Sequence, residues 1–219
     1  VFICGAITKG RLGQELADMA GLKKQGAVAI SDDGAGVDND DLMLKALQKA
    51  AELDIVTIAH CEDKSLTACG VVNMGIISTR LGLRGMPSES EYKRVQRDIQ
   101  LAQQAKARIH IAHVSCKESV ELIAKAKKKG VMITAEVTPH HFALTQEAVM
   151  GFDTNTKMNP PLRSPDDQRA LREGLRDGII DAIASDHAPH TENEKEIEFD
   201  RAEFGVIGLG RMGGNLARQ

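Results

Sequence analysis

The sequence predicts an α/β protein built on a parallel sheet, and two observations support this. Short apolar segments alternate with longer amphipathic ones along the chain, and most positions in each short segment are apolar on both alternating faces. Such segments are typical of strands that are covered on both sides. Alternation of strands with helices places successive strands parallel, in a sheet that is either doubly wound or closed as a barrel.

Six segments are predicted as strands: Val1–Ile7, Val28–Ser31, Ile55–Ala59, Ile109–Ala112, Met132–Val137 and Ile179–Ala184. A complete (β/α)8 barrel takes about 250 residues. Six strands in 219 residues therefore favour an incomplete TIM-like (β/α)8 barrel.

The amphipathic segments between these strands carry recognisable helix ends. The signals are capping boxes at Ser88-x-x-Glu91 and Ser115-x-x-Glu118, a lysine-rich end before Gly130, and an N-cap Ser164 followed by Pro165.

Composition narrows the class of protein. The chain is 42% hydrophobic with a formal net charge of -3, which is ordinary for a globular protein and gives no reason to expect nucleic acid or an anionic membrane as a partner. It contains no apolar run long enough to cross a bilayer and no signal peptide. The four cysteines form no CxxC pair, and we expect a reducing, cytoplasmic location.

Polar residues follow the predicted strands, where the active sites of barrels are built. The segments are Asp32-Asp33-Gly34, His60-Cys61-Glu62, His113-Val114-Ser115, Thr138-Pro139-His140-His141 and Ser185-Asp186-His187. A single histidine after a strand is usually a surface residue, and Asp-Asp-Gly alone is usually a turn.

Two histidines and two aspartates at four strand ends favour a zinc-type metal site instead. The predicted ligands are Asp33, His60, His113 and Asp186. Strand alternation places His113 on the face of Ile111 and directs His110 outward, away from the site.

Seven segments together resemble the motifs of bacterial class I dihydroorotases, which belong to the amidohydrolase superfamily of metal-dependent barrels. They are Gly5-Ala-Ile-Thr-Lys9, Ser31-Asp-Asp-Gly34, Ala59-His-Cys-Glu62, Ala112-His-Val-Ser115, Thr134-Ala-Glu-Val-Thr-Pro-His-His141, Lys157-Met-Asn-Pro-Pro-Leu-Arg163 and Ser185-Asp-His-Ala-Pro-His190. The resemblance covers about residues 1–209 in order, and it implies that roughly strands 3 to 8 of the barrel are present.

The resemblance also implies a role for each site residue. Asp33 would bridge two zinc ions, His60 and His113 would bind one of them, and Asp186 would bind the other and act as general acid/base. Asn159, His190 and the Phe204–Gly205 segment would hold the substrate, while His140 and His141 would be supporting residues. The implied reaction interconverts carbamoyl aspartate and dihydroorotate in pyrimidine biosynthesis.

The family's first strand carries a His-x-His pair and an arginine that binds the substrate carboxylate, and the apolar Val1–Ile7 segment does not supply them. We therefore expect a fragment with impaired activity. An incomplete barrel exposes sheet edges, which predicts association with further copies or with a partner such as aspartate transcarbamoylase. The alternatives are a non-catalytic dihydroorotase-like partner of that enzyme, and a hydantoinase or allantoinase-like cyclic amidase, in which a lysine would be expected at position 33.

The C-terminal residues depart from this pattern. Gly208-x-Gly210-x-x-Gly213 matches a dinucleotide-binding fingerprint and resembles the start of a 6-phosphogluconate dehydrogenase. Too few residues follow to form a cofactor site. We predict that residues 1–204 form the partial catalytic barrel and that 205–219 is a tail that arose at a junction.

Overall fold

The computed structural model describes residues 1–67 and 69–205. Its strands are β1 (Ile3–Gly5), β2 (Ala27–Ser31), β3 (Val56–Ala59), β4 (Val72–Asn73), β5 (Gly85–Met86), β6 (Ile109–Ile111), β7 (Ile133–Val137) and β8 (Ala182–Ile183). Its α-helices are α1 (Met19–Lys24), α2 (Asp40–Glu52), α3 (Lys64–Thr67), α4 (Ile76–Leu81), α5 (Glu89–Ala105), α6 (Lys117–Lys128), α7 (Pro139–Ala143), α8 (Pro165–Arg176) and α9 (Glu192–Lys195). The glycine-rich segment 208–213 lies outside the described residues.

Six strands form one parallel sheet in the order β1-β2-β3-β6-β7-β8. This order follows the chain without the reversal that marks a doubly wound sheet, so the barrel alternative is the correct one. All six predicted strands are confirmed, although the first and the last are shorter than predicted. The small parallel sheet of β4 and β5 was not predicted, because strands of two residues carry no periodic signal.

Helices pack on one face of this sheet. Ile30, Ile109 and Ile133 from the strands share a buried core with Leu47 of α2 and Ile123 of α6. These side chains are at most 5% exposed, and fully burying an aliphatic side chain contributes about 1.5–3 kcal/mol. The opposite face carries half-buried positions such as Ile58 and exposed ones such as Thr134, as in a barrel that the described strands do not close.

His110 lies on this opposite face. Its ring contacts Thr134 Oγ1 at 2.8 Å and Glu136 Oε2 at 3.0 Å, whereas its neighbours Ile109 and Ile111 pack against the helices. The expectation that His110 points outward was therefore wrong. Successive side chains of β6 alternate between the two faces of the sheet. His113 lies beyond the end of this strand, and its side chain does not continue the alternation.

Three of the four predicted helix ends are confirmed in position, but neither of the two predicted capping boxes, at Ser88 and at Ser115, forms. At the start of α8, Ser164 and Asp167 form a reciprocal capping box, with Pro165 as the first helical residue. Helix α6 ends before Gly130, whose φ is 74°. Ser88 makes no side-chain capping hydrogen bond, and the N-cap of α6 is Cys116 rather than Ser115. The carboxylate of Glu91 instead accepts hydrogen bonds from the backbone N–H groups of Ser115 and Cys116. No helix among the described residues is long and apolar enough to span a membrane.

Candidate metal centre

The carboxyl ends of β2, β3 and β6 bring three of the predicted ligands together. His60 Nδ1 lies 2.9 Å from His113 Nε2 and 3.1 Å from Asp33 Oδ1, and His113 Nε2 lies 3.3 Å from the same oxygen. Both imidazoles are buried. These three side chains are a group whose ligand atoms could hold one metal ion.

The two adjacent aspartates after β2 have different roles. Asp32 is buried and accepts hydrogen bonds from the backbone N–H groups of Ile7 and Thr8, at 2.8 and 3.1 Å, and from the Thr8 hydroxyl. It therefore fixes the end of β1 against β2. Because successive side chains alternate, Asp33 points to the opposite side and meets the histidines, as predicted.

Glu62 is a site residue to which the sequence assigned no role. Its Oε2 accepts from His60 Nε2 at 3.1 Å and from Asn159 Nδ2 at 2.9 Å. A proton held on Nε2 by this carboxylate leaves Nδ1 with a lone pair that faces Asp33 and His113. Outer carboxylates of this kind commonly orient metal-binding histidines. The sequence feature that could have identified Glu62 is its position two residues after the predicted ligand His60.

His113 reaches the site through an unusual backbone conformation. Its φ is 35°, in the left-handed region that non-glycine residues seldom adopt. This conformation turns the side chain out of the alternation of β6 and toward His60. The second ring nitrogen, Nδ1, is buried and has no hydrogen-bond partner among the described residues.

The electrostatics of the group are those of acceptors in need of a cation. Burial disfavours the charged form of His60, but hydrogen bonds with Asp33 and Glu62 outweigh it and raise its pKa to about 9. Hydrogen bonds with His113 and His60 hold the pKa of Asp33 well below its usual range. Glu62 is desolvated, yet its bonds to His60 and Asn159 lower its pKa to about 2.

The spacing of the three atoms suits a zinc ion. Ligands about 2.0–2.1 Å from a tetrahedral zinc lie about 3.3 Å apart, and the observed separations are 2.9, 3.1 and 3.3 Å. Two imidazole nitrogens and a carboxylate oxygen are also the donors that zinc prefers. With a pKa of about 9, His60 carries a proton between these three atoms when no metal is bound, and a cation would take the place of that proton. The residues therefore fit a divalent cation.

Asp186, the fourth predicted ligand, follows β8 at the same end of the sheet. It is half-buried, has a left-handed φ of 47°, and lies outside the group of three. Burial raises the pKa of its carboxyl group, the charge of His113 opposes this, and the charge of Asp33 reinforces it. Asp186 therefore interacts electrostatically with the group, while its role as a ligand stays a prediction.

The predicted substrate residues have contacts within the protein. Asn159 donates to Glu62 and so lies beside the metal group. His190 Nε2 contacts the carbonyl oxygen of Phe204 at 2.9 Å, and Gly205 N donates to the carbonyl oxygen of Lys157 at 3.0 Å. A Cβ at position 205 would lie 2.4 Å from the Ala188 carbonyl oxygen, so only glycine fits there. The structure thus connects His190 to the Phe204–Gly205 segment.

His140 and His141, the predicted supporting residues, lie in α7. Both are buried. His141 Nδ1 lies 2.6 Å from Thr138 Oγ1, and its Nε2 lies 2.9 Å from the Pro160 carbonyl oxygen. Burial lowers the pKa of both rings, that of His140 to about 4. Two neutral, ordered imidazoles are therefore present beside the loop that carries Asn159.

A parallel barrel-type sheet with His, His and Asp at its carboxyl edge defines a protein of the metal-site hydrolase class. The model of the family described as "Dihydro-orotase-like" matches residues 1–119. The chain therefore belongs to the dihydroorotase-like family, which is metal-dependent.

Curated relatives are similar over nearly the whole chain. It is 59% identical over 209 residues to the dihydroorotase of Elusimicrobium minutum and 58% identical to that of Pelotomaculum thermopropionicum. These alignments cover 95% of this chain but only 48% and 49% of the relatives. The chain thus spans about half the length of the curated relatives it matches.

Solved structures show the same fold. The L-hydantoinase (dihydropyrimidinase) of Arthrobacter aurescens matches with a TM-score of 0.80 and 24% identity, over 95% of this chain and 48% of its own. A Saccharomyces cerevisiae dihydroorotase in complex with 5-fluoroorotic acid matches with a TM-score of 0.67 and 18% identity, over 100% of this chain and 62% of its own. The chain is part of a TIM-type barrel.

Proposed function

We propose that this chain carries most of the zinc centre of a dihydroorotase, a cyclic amidohydrolase that interconverts carbamoyl aspartate and dihydroorotate. The observation that carries the proposal is the triangle of His60 Nδ1, His113 Nε2 and Asp33 Oδ1, with sides of 2.9–3.3 Å. Family membership supports the choice of reaction. Residues 1–204 are the catalytic part in this proposal, and 205–219 are a separate tail.

His60, His113 and Asp33 would hold one zinc ion, with Glu62 keeping His60 in the tautomer that binds metal. Asp33, which meets both histidines through Oδ1, would also help to hold a second zinc ion together with Asp186. When bound, zinc supplies positive charge that activates a water molecule and polarises the carbonyl group that is attacked.

Asp186 would carry the proton in this reaction. Its carboxylate accepts a proton from the attacking water and delivers it to the ring nitrogen as the C–N bond breaks; ring closure reverses both transfers. The half-buried position beside the metal group supports this role. A carboxylate that is partly shielded from solvent exchanges its proton with the substrate rather than with bulk water.

Asn159 and His190 would position the substrate, together with the Phe204–Gly205 segment. The contact of Asn159 with Glu62 ties substrate placement to the orientation of His60. His190 is ordered by its hydrogen bond to Phe204. Small displacements of a bound substrate can remove much of the rate acceleration. We therefore include these contacts in the proposed catalytic arrangement.

The proposal also places the protein in the cytoplasm and includes its association with another protein chain. The edge strands of the sheet expose apolar side chains, with Ile3 of β1 60% exposed and Ile183 of β8 57% exposed. Unpaired apolar edges favour association. The partner would be aspartate transcarbamoylase or further copies of this chain.

Metal binding tests the centre directly. The chain is titrated with Zn²⁺ by calorimetry, alongside His113→Asn and the control His110→Asn, which alters a histidine of β6 outside the group of three. We expect the wild type and His110→Asn to bind zinc and His113→Asn to lose tight binding. Absence of zinc binding by the wild type, or equal binding by both variants, refutes the centre.

Activity is tested in the protein extended to the length of its relatives. We expect about two zinc ions per chain and hydrolysis of dihydroorotate, measured by chromatography of carbamoyl aspartate. Asp186→Asn should keep the circular dichroism spectrum but lose nearly all turnover. Near-normal turnover of this variant contradicts its acid/base role. Zinc binding without turnover by the wild type favours the non-catalytic partner.

A further inference from the structure

The backbone that carries His113 is fixed by hydrogen bonds from several elements. Ala112 N donates to the Ala59 carbonyl oxygen at 3.1 Å, and Val114 N donates to that of Glu136 at 2.9 Å. These bonds join the segment to β3 and β7. They do not by themselves account for the left-handed φ of His113, a conformation that costs on the order of 1–3 kcal/mol. The surrounding structure must offset this strain.

Glu91, on the first turn of α5, binds the residues just after His113. Its Oε1 accepts from Ser115 N at 3.0 Å and from Cys116 N at 3.2 Å, and its Oε2 accepts from the Ser115 hydroxyl. Glu91 is 3% exposed. A carboxylate in the first turn would ordinarily stabilise its own helix, whereas this one stabilises the start of α6.

Arg163 balances the buried charge of Glu91. Its Nη2 lies 3.8 Å from Glu91 Oε2, and its Nε donates to the Ser115 hydroxyl at 3.1 Å. Its Nη1 also donates to the Met86 carbonyl oxygen at 2.9 Å, which attaches this cluster to β5. A buried carboxylate persists as an acceptor only with such compensation.

Among residues 1–67 and 69–205, none forms an outer hydrogen bond that could orient the imidazole of His113 instead. Its Nδ1 is buried without a partner in the described part of the chain, in contrast with His60, whose Nε2 meets Glu62. The direction of the His113 ring must therefore come from its backbone and from packing. A loss of backbone order would act directly on the position of Nε2.

We propose that Glu91 is a positioning residue for the metal ligand His113. By fixing Ser115 and Cys116, its carboxylate maintains the left-handed conformation that directs His113 toward Asp33 and His60. This role rests on the proposed zinc centre. It also explains why Glu91 leaves its own helix end without a reciprocal cap.

The test compares Glu91→Gln with Glu118→Gln, which makes the same chemical change in the first turn of α6. No described residue donates to Glu118 Oε2, so this control leaves the Glu91 cluster intact. For each folded protein we measure the Zn²⁺ dissociation constant, the visible absorption of bound Co²⁺, and urea denaturation. Circular dichroism establishes folding before metal is added.

We expect Glu91→Gln to raise the zinc dissociation constant about 10-fold or more and to change the Co²⁺ spectrum. Glu118→Gln should match the wild type in both. A Glu91→Gln protein that is less stable yet has wild-type zinc affinity and Co²⁺ spectrum overturns the proposal, because its role is then only structural.

Glu91→Asp provides a second test if Glu91→Gln does not fold. It keeps the charge but is one methylene shorter, so it reaches the two backbone N–H groups less well. We expect a smaller rise in the zinc dissociation constant; wild-type affinity overturns the proposal. Wild-type protein that binds no zinc refutes the metal centre itself, which distinguishes the two failures.

Discussion

We predict that acid destabilises this protein through His140, by an amount that follows from the burial of its imidazole. His140 is 5% exposed, and burial, with a smaller contribution from the charge of His113, lowers its pKa to about 4. An unfolded chain has a histidine pKa near 6.5. The unfolded state therefore takes up the proton first, so stability is fully present above pH 6.5 and is lost as the pH falls toward 4.

The expected loss can be calculated for pH 4.5. With a pKa of about 4 when folded and about 6.5 when unfolded, the free energy of unfolding falls by about 2.5 kcal/mol relative to pH 7.5. Replacement by glutamine removes this titration. His140→Gln should therefore lose about 2.5 kcal/mol less than the wild type over the same interval, whatever its stability at pH 7.5.

Urea denaturation followed by circular dichroism measures this difference. The titrations are made at pH 7.5 and 4.5 with a chelator present, so that metal binding does not contribute. His141 is also buried, and its pKa is lowered mainly by burial and in smaller part by the charge of His140; its burial is common to both proteins. His187→Gln, at an exposed position, should follow the wild type. Equal acid sensitivity of His140→Gln and the wild type would refute the reasoning.

Three further predictions concern the site and the core. Glu62→Gln should keep the fold but weaken zinc binding about tenfold, because its amide no longer holds His60 as a carboxylate does; an unchanged dissociation constant would contradict this. Ile123→Ala should lower the free energy of unfolding by about 2–5 kcal/mol in urea, with zinc affinity unaltered, since Ile123 is fully buried. Gly70→Ala should lower the thermal midpoint, because its Cβ would lie 2.7 Å from the Gly85 backbone; an unchanged midpoint would show that β4 and β5 can separate freely.

Those parts of the fold that depend on local patterns could be predicted from sequence. The six strands of the main sheet are apolar runs, which composition alone reveals in the sequence. The N-terminus of α8 combines Ser164, Pro165 and Asp167 within four residues, so all the groups that form the cap are adjacent in the chain. Local signals of this kind persist in the folded protein.

Both predicted capping boxes failed because Glu91 binds Ser115: this contact removes the Glu91 carboxylate from Ser88 and the Ser115 hydroxyl from its own helix. Glu91 has the spacing of a capping residue, yet Ser115 and Cys116 present backbone N–H groups that have no other acceptor at the start of α6. Binding two donors from another segment outweighs a single local bond. Sequence spacing cannot reveal this competition, since the residues involved are 24 and 25 positions apart.

The site shows the same limit at His113. Its identity as a candidate ligand was predictable, because a histidine at the carboxyl end of a barrel strand lies where such sites form. Its orientation was not, because regular alternation from β6 would place it on the helix-covered face with Ile111. The left-handed φ of 35° reverses that placement, and contacts from β3, β7 and α5 hold the surrounding backbone. The proposed ligand His113 is thus held by contacts with residues outside the group of three, and we expect a substitution at one of those residues to change zinc affinity while every proposed ligand remains.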